Sequence, residues 1–412
     1  MHRISRSLLA LALALALLFP AGAALAEPAP AGPAPASLVE ALRQSKLVAD
    51  FTLRHEQVDD DALARGAAAT TLRSALGFET RPFHGWSLRL EAEDESVGGA
   101  DDYANGGFGS ASNGVTGRPV IGDPEGTELH RAFVKWQGHG FAVQAGRDEI
   151  LLGDQRFVGN VGWRQHRQTF DALSLRAPLG ERWKLFYALL ESVQRVNRAT
   201  DELSGHLLAV EGDLGAAGKL TVHAESLDYD APARRALSSL TCGAEWSGAR
   251  ALGGGKLLWE LEAARQRDAG DNPRELDAGY LFASLGWGWR DWTVRGGWER
   301  LDGDAADGQF NTPLATLHKF NGWADKFLVT PVNGLVDRYL HVDGRRGAWS
   351  WTAAWHDFEA ATGGAAYGSE LDLQLLWKAK SGLALGAKAA LYDADRHAAD
   401  TEKLWVWAAF AL

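Results

Sequence analysis

The chain has 412 residues, 46% hydrophobic and 23% charged, with one Cys, one Met and 17 Trp. A single Cys242 excludes an internal disulfide, CxxC zinc sites, dithiol redox pairs and Cys-ligated iron–sulfur clusters. Forty-two Lys and Arg against 53 Asp and Glu give a formal charge of −11, the wrong sign for a nucleic-acid partner.

Residues 1–26 read as a secretory signal peptide. His2, Arg3 and Arg6 supply the positive start, Leu8 to Phe19 an apolar run broken by Pro20, and Ala24-Leu25-Ala26 a cleavage site before Glu27. That run is too short to span a membrane, and nothing after it reaches 18 consecutive apolar residues, so spanning helices are excluded. No Cys follows the cleavage site, so this is not a lipoprotein signal. Residues 27–45 form a Pro/Ala-rich periplasmic tether, with one or two helical turns expected from Leu38 to Ser45.

From Lys46 onward the hydrophobic period is two. Leu47, Ala49, Phe51 and Leu53 oppose Asp50, Thr52, Arg54 and Glu56; Trp86, Leu88, Leu90 and Ala92 oppose Ser87, Arg89, Glu91 and Glu93. The same alternation recurs at 256–266, 291–301 and 370–378. It is the pattern of strands with one apolar and one charged face. The predicted strands are 46–56, 70–80, 85–95, 127–137, 140–148, 168–176, 182–192, 204–213, 218–228, 238–247, 255–266, 275–286, 290–301, 334–343, 347–358, 368–379, 382–393 and 402–412. About 18 strands of about 9–12 residues match what a tilted membrane-crossing strand needs.

The connections sort by length. Short ones (Gln137 to Gly140, Leu214 to Ala217, Trp287 to Trp289, Gly344 to Arg346, Lys380-Ser381) alternate with long ones (Ser96 to Gly126, Glu149 to Arg167, Val193 to Leu203, Asp302 to Asn333, Ala394 to Thr401). An even-stranded outer-membrane barrel sorts its turns this way, whereas a soluble sandwich has no reason to. If the first strand runs outward, 13 Trp fall near the periplasmic ends: Trp86, Trp136, Trp183, Trp246, Trp259, Trp287, Trp289, Trp292, Trp349, Trp351, Trp377, Trp405 and Trp407. Interfacial belts favour Trp because indole joins an apolar body to one N–H donor. The expected fold is therefore all-β, a closed transmembrane antiparallel barrel over 46–412 in contact with outer-membrane lipid. Its last segment, Thr401 to Leu412, resembles the C-terminal strand read by the barrel-insertion machinery, with its aromatic Phe410 two places early.

A barrel of this size has a water-filled lumen, so inward residues and inward-folded loops decide what passes. Two segments stand out. Gly146 to Ala172 (GRDEILLGDQRFVGNVGWRQHRQTFDA) packs Arg147, Arg156, Arg164 and Arg167 beside Asp148, Glu149, Asp154 and Asp171. Gln309 to Pro331 (QFNTPLATLHKFNGWADKFLVTP) carries Lys319 and Lys326 among large apolar residues that open water disfavours, so it is expected inside the mouth.

On these two stretches the chain resembles the alginate-export family of Gram-negative outer-membrane channels. The resemblance implies a monomeric 18-stranded barrel whose Arg-dominated constriction passes an acidic polysaccharide. It makes Arg147, Asp154, Arg156, Arg164, Arg167 and Asp171 candidate pore-lining residues, with Lys319 and Lys326 beside them. One departure concerns the long periplasmic plug loop of the alginate channel, whose counterpart here is only Lys380-Ser381. Guanidinium suits an anionic saccharide, because it donates two parallel hydrogen bonds to a carboxylate and stays charged. The bland alternative is that the same charges brace a loop inside the barrel.

No cofactor motif, GxSxG, HExxH or Walker A sequence occurs, so no enzyme and no cofactor are expected. The rival readings are an outer-membrane barrel enzyme acting on lipid or polysaccharide, and a secreted all-β polysaccharide hydrolase or lyase. Asp302 to Gly308 departs from Ca²⁺-loop spacing and reads as a solvated acidic loop, as do Asp59 to Asp61 and Asp101-Asp102. His341 and His356 read as satisfied barrel residues, and Cys242 as lipid-facing.

Overall fold

The computed structural model describes residues 34–306 and 308–412. The signal peptide and the start of the tether lie outside the described residues, as does Asp307 of the acidic loop. The tether's end forms α1 (Leu38–Arg43), where the Ser37 hydroxyl accepts from the amide of Glu40 at 3.2 Å.

The period-2 segments become strands. In chain order they are β1 (Lys46–Asp60), β2 (Ala67–Glu79), β3 (Trp86–Asp102), β4 (Gly126–Gly138), β5 (Phe141–Asp148) and β6 (Thr169–Leu179). Then follow β7 (Trp183–Gln194), β8 (Thr200–Asp213), β9 (Lys219–Tyr229), β10 (Ser239–Leu252), β11 (Gly255–Asp268) and β12 (Asp277–Trp289). The last six are β13 (Trp292–Leu301), β14 (Leu335–Arg346), β15 (Trp349–Glu359), β16 (Ala366–Lys378), β17 (Leu383–Ala394) and β18 (Thr401–Ala411). Each pairs antiparallel with its chain neighbours, and β18 returns to β1 in a ladder from Asp50–Ala411 to Asp60–Thr401. Closure removes both sheet edges, as hydrocarbon requires.

Every predicted strand is present, and the differences lie at the ends. β3 continues past Glu95 to Asp102, and β10 past Ser247 to Leu252. There the apolar–charged alternation gives way to Gly and charged residues, so the periodic signal stops before the hydrogen-bond ladder does. The turns expected at Trp287 to Trp289 and Gly344 to Arg346 sit two residues later, at Arg290-Asp291 and Gly347-Ala348. Arg290 (φ 52°) and Gly347 (φ 60°) supply the left-handed backbone such two-residue hairpins need.

All connections at the end bearing the chain termini are short, whereas 103–125, 149–168 and 302–334 cluster at the other end. The outer wall is apolar: Leu53, Leu76, Leu240, Leu281, Leu373 and Leu404 are all exposed. A soluble monomer does not leave a continuous belt of this kind in water. Eleven of the 13 expected Trp alternate onto this outer face near the short-turn end, and Trp292 packs on Trp351 with ring centroids 5.1 Å apart. The other two are a correction. Trp405 and Trp407 share inward parity with Lys403, so Trp405 is fully buried and both pack edge-to-face on Trp163. Cys242 is exposed on the outer face. Leu373→Arg, near the middle of that face, is expected to lower unfolding free energy by about 2–4 kcal/mol in denaturant titrations of liposome-inserted protein.

Inside, two apolar clusters seat the long connections. Ile150, Val158 and Leu314 pack on Phe170, Leu190, Leu207 and Leu227 of β6–β9. Phe310, Ala324 and Phe327 pack on Tyr280, Leu301, Phe358 and Tyr392 across β12–β17. Both long segments therefore fold into the barrel rather than over it.

Candidate functional site

The two inward segments behave as a single body. Val158 bridges Leu314, the amide of Gly159 donates to the Leu314 carbonyl at 2.9 Å, and Gln168 donates to the carbonyls of Gly159 and Leu314. A Cβ on Gly159 would lie 2.1 Å from Thr316 Oγ1, so only glycine permits this approach. The FNGWAD stretch has a similar cause. Asn321 (φ 55°) and Gly322 (φ 82°) are successive left-handed residues that turn the backbone toward β16. The amides of Trp323 and Ala324 then donate to Asp372 (3.2 Å) and Glu370 (2.7 Å).

The candidate residues separate into three groups. Arg156 and Arg164 are buried in ion pairs, at 3% and 8% exposure. Arg156 donates to Glu299 of β13 at 2.6 Å and to Asn321 at 3.1 Å, with its guanidinium 4.8 Å from the Phe320 ring. Arg164 donates to Glu56 of β1 at 3.2 Å and lies 3.8 Å from both Asp123 and Asp325. Burial opposes their charge, yet the facing carboxylates outweigh it and hold both guanidiniums above their ordinary pKa. Lys326 belongs here too, because it is sequestered by Asp60 at 2.7 Å. Asp60 is thereby a partner inside the barrel mouth and not part of a freely solvated acidic run.

The second group keeps contact with the lumen. Arg167 is 29% exposed and holds only long pairs, 3.5 Å to Asp50 and 3.7 Å to Glu149. Lys319 is 47% exposed, lies over the Phe320 ring and meets Asp154, whose carboxylate also caps the amide of Arg156 at 2.9 Å. The third group is Arg147 and Asp171, joined by two hydrogen bonds of 2.9 and 2.8 Å. They alternate with Asp148 and Phe170, which point inward, and so sit on the opposite face of the wall with Ser192 and Gln194. The structure does not bring them to the lumen loops.

Sequence reasoning passed over several partners. Asp123, in the 103–125 connection, is almost fully buried between Arg54 and Arg164, which hold its carboxyl below the ordinary value despite burial. His318 stacks on Trp163 at 5.1 Å, donates from Nδ1 to Asp325 (2.6 Å) and accepts at Nε2 from Lys388 (2.7 Å). Lys388 in turn lies 3.7 Å from the Trp323 ring centre and 4.2 Å from that of Trp163. Inward parity on β1, β17 and β18 was the available signal for Glu56, Lys388 and Lys403. On β15, His356 meets Asp337 at 2.9 Å and His341 at 3.3 Å, so both His are satisfied inside the wall. In the acidic loop, Asp302 meets Arg300 at 2.6 Å and Asp304 caps the amide of Ala306.

Solved structures with the same architecture are outer-membrane proteins. Acinetobacter baumannii OccAB2 aligns with a TM-score of 0.69 at 16% identity, covering 89% of this chain and 98% of that one. Pseudomonas aeruginosa OccK9 (OpdG) aligns at 0.71 and 16%, covering 90% and 99%, and OccK8 (OprE) at 0.69 and 12%, covering 90% and 98%. No curated protein matches by sequence. The family model described as Alginate export matches residues 46–322, from β1 into the second inward loop. With a closed 18-stranded barrel, a lipid-type outer face and that match, the chain belongs to the alginate export family and is a β-barrel of the Gram-negative outer membrane.

Proposed function

We propose that the protein is a passive, monomeric, non-catalytic channel for an anionic oligo- or polysaccharide, selected at an Arg-rich constriction. The reading rests on one arrangement. Four consecutive strands, β1–β4, turn Arg54, Arg73, Arg89 and Arg131 inward, on the side where the 149–168 loop presents Arg164 and Arg167. Family membership supports the same substrate class.

Within that constriction the roles divide by exposure. Arg156 and Arg164 brace the loops, whereas Arg131, Arg167 and Lys319 keep donors facing water for a passing carboxylate. Neighbouring Asp50, Asp148 and Asp154 compete for the same donors, which keeps affinity weak enough for release. In planar bilayers the wild type is expected to be anion-selective and to be blocked by oligouronates but not by neutral oligosaccharides of equal length. Arg167→Ala removes one charge-assisted contact of about 1.5 kcal/mol and weakens block about tenfold. Cation selectivity in the wild type, or unchanged block in the variant, would overturn the assignment. The signal peptide and tether read at the N-terminus fit export through the periplasm, and an N-terminal sequence beginning at Glu27 in the purified protein checks the cleavage site.

A further inference from the structure

Behind the Arg wall lies a cluster that the conduction pathway does not use. Glu93 of β3, His130 of β4 and His166 of the 149–168 loop are all buried, and one ligand atom from each lies within 4.8 Å of the other two. The Glu93 carboxylate stands between the two rings. Its Oε1 is 2.8 Å from Nδ1 of His166, and its Oε2 is 3.7 Å from Nδ1 of His130. That Nδ1 of His130 has no hydrogen-bond partner although it is wholly enclosed.

The far side of each ring is also furnished. Nε2 of His130 lies 3.3 Å from Glu149 Oε1, and Nε2 of His166 lies 3.3 Å from Glu128 Oε1. A metal-bound imidazole characteristically hands its other N–H to a carboxylate, which fixes the ring and strengthens the ligand. Here His130 has that second partner, Nε2 of His166 lies beside Glu128 without a hydrogen bond, and both Nδ1 atoms turn toward the same carboxylate. Arg73 holds Glu93 Oε2 at 2.6 Å, so Oε1, which faces Nδ1 of His166, is the oxygen available to an ion that replaces that contact.

We propose that Glu93, His130 and His166 form a binding site for a divalent transition metal, zinc being the best match to two imidazoles and one carboxylate. Zinc bonds of about 2.0–2.1 Å set tetrahedral donors about 3.4 Å apart, so the 2.8 Å pair opens and the wider pairs close, shifts that small side-chain rotations supply. Softer thiolate metals lack a ligand, and Ca²⁺ or Mg²⁺ would ask for oxygen donors in place of the imidazoles. Two ligands come from the wall and one from the inward loop, so the ion rivets the plug to β3 and β4. Its position is outside the aqueous path, which makes it a fastener and not a cargo site.

The test uses full-length protein in detergent, stripped with EDTA and then titrated with Zn²⁺ alone by calorimetry, and with Co²⁺ for its visible d–d bands. Wild type binds about one ion per chain, and the Co²⁺ spectrum is that of a nitrogen/oxygen site. H130N and H166N lose the stoichiometric site, while E149Q retains it about 10–100-fold weaker. A heat-dependent mobility shift on gels shows that each variant is a closed barrel. In bilayers, Zn²⁺ lowers the open-channel noise of stripped wild type and leaves H166N unchanged. Absence of stoichiometric binding in wild type, or binding that survives both His substitutions, overturns the proposal.

Discussion

Arg164→Ala unseats the inward loop and raises single-channel conductance. The residue is enclosed by Glu56 of β1, Asp123 of the 103–125 connection and Asp325 of the second inward segment, so its removal strands three carboxylates with one fewer cation. Breaking a buried pair from one side costs about 3–5 kcal/mol, because the orphaned charge stays desolvated. Spread over the equilibrium between seated and released loop, that is about two to four orders of magnitude. The barrel ladders do not pass through Arg164, so heat-modifiable migration persists while the loop becomes open to protease. Unchanged conductance together with unchanged protection of the 149–168 segment would show that Arg164 does not hold the plug.

Acid should loosen the same body in two stages. His318 is held neutral: burial disfavours its charged form, and the Lys388 ammonium donating to Nε2 reinforces this. Its pKa when seated is thus well below 6.5, so its contribution is complete above about pH 6.5 and declines as pH falls below that value. Asp325 comes next. Burial would raise its carboxyl, but His318, Lys403 and Arg164 outweigh this and keep it well below 3.8. A depressed carboxylate stabilises above its ordinary pKa and stops doing so as pH falls through the lowered one, which places the second stage below about pH 4. Conductance recorded from pH 8 downward is expected to be flat to about 6.5, to rise beneath it, and to rise again below about 4. His318→Asn removes the first stage and keeps the second. A trace without the upper stage in wild type would refute the neutral His318.

Much of the barrel was legible because alternation is a local signal: each of the 18 strands carries its own apolar and charged faces. The inward fate of 309–331 was legible for a related reason, since Phe310, Leu314 and Phe327 are too apolar for an outer loop. What stayed hidden is pairing at a distance. Arg156 meets Glu299 across 143 residues and His166 meets Glu93 across 73, and no spacing rule connects either pair. Arg147 and Asp171 were drawn to the lumen by their charge, although alternation places Arg147 with Ala145 and Val143 and Asp171 with Leu173 and Leu175 on the outer face. Position near a strand end counted Trp405 and Trp407 with the belt, although alternation with Leu404, Val406 and Ala408 puts them on the inward face.

The wall partners of the inward body span the barrel: Glu56 on β1, Glu299 on β13, Lys388 on β17 and Lys403 on β18. No partial sheet brings these groups together, because β1 reaches β18 only at closure. Seating the body therefore waits for the most non-local step of folding, the one with the greatest loop-closure entropy. The contacts on β6–β9 can form in an open sheet, but the set that fixes the inward body is complete only once the cylinder has closed.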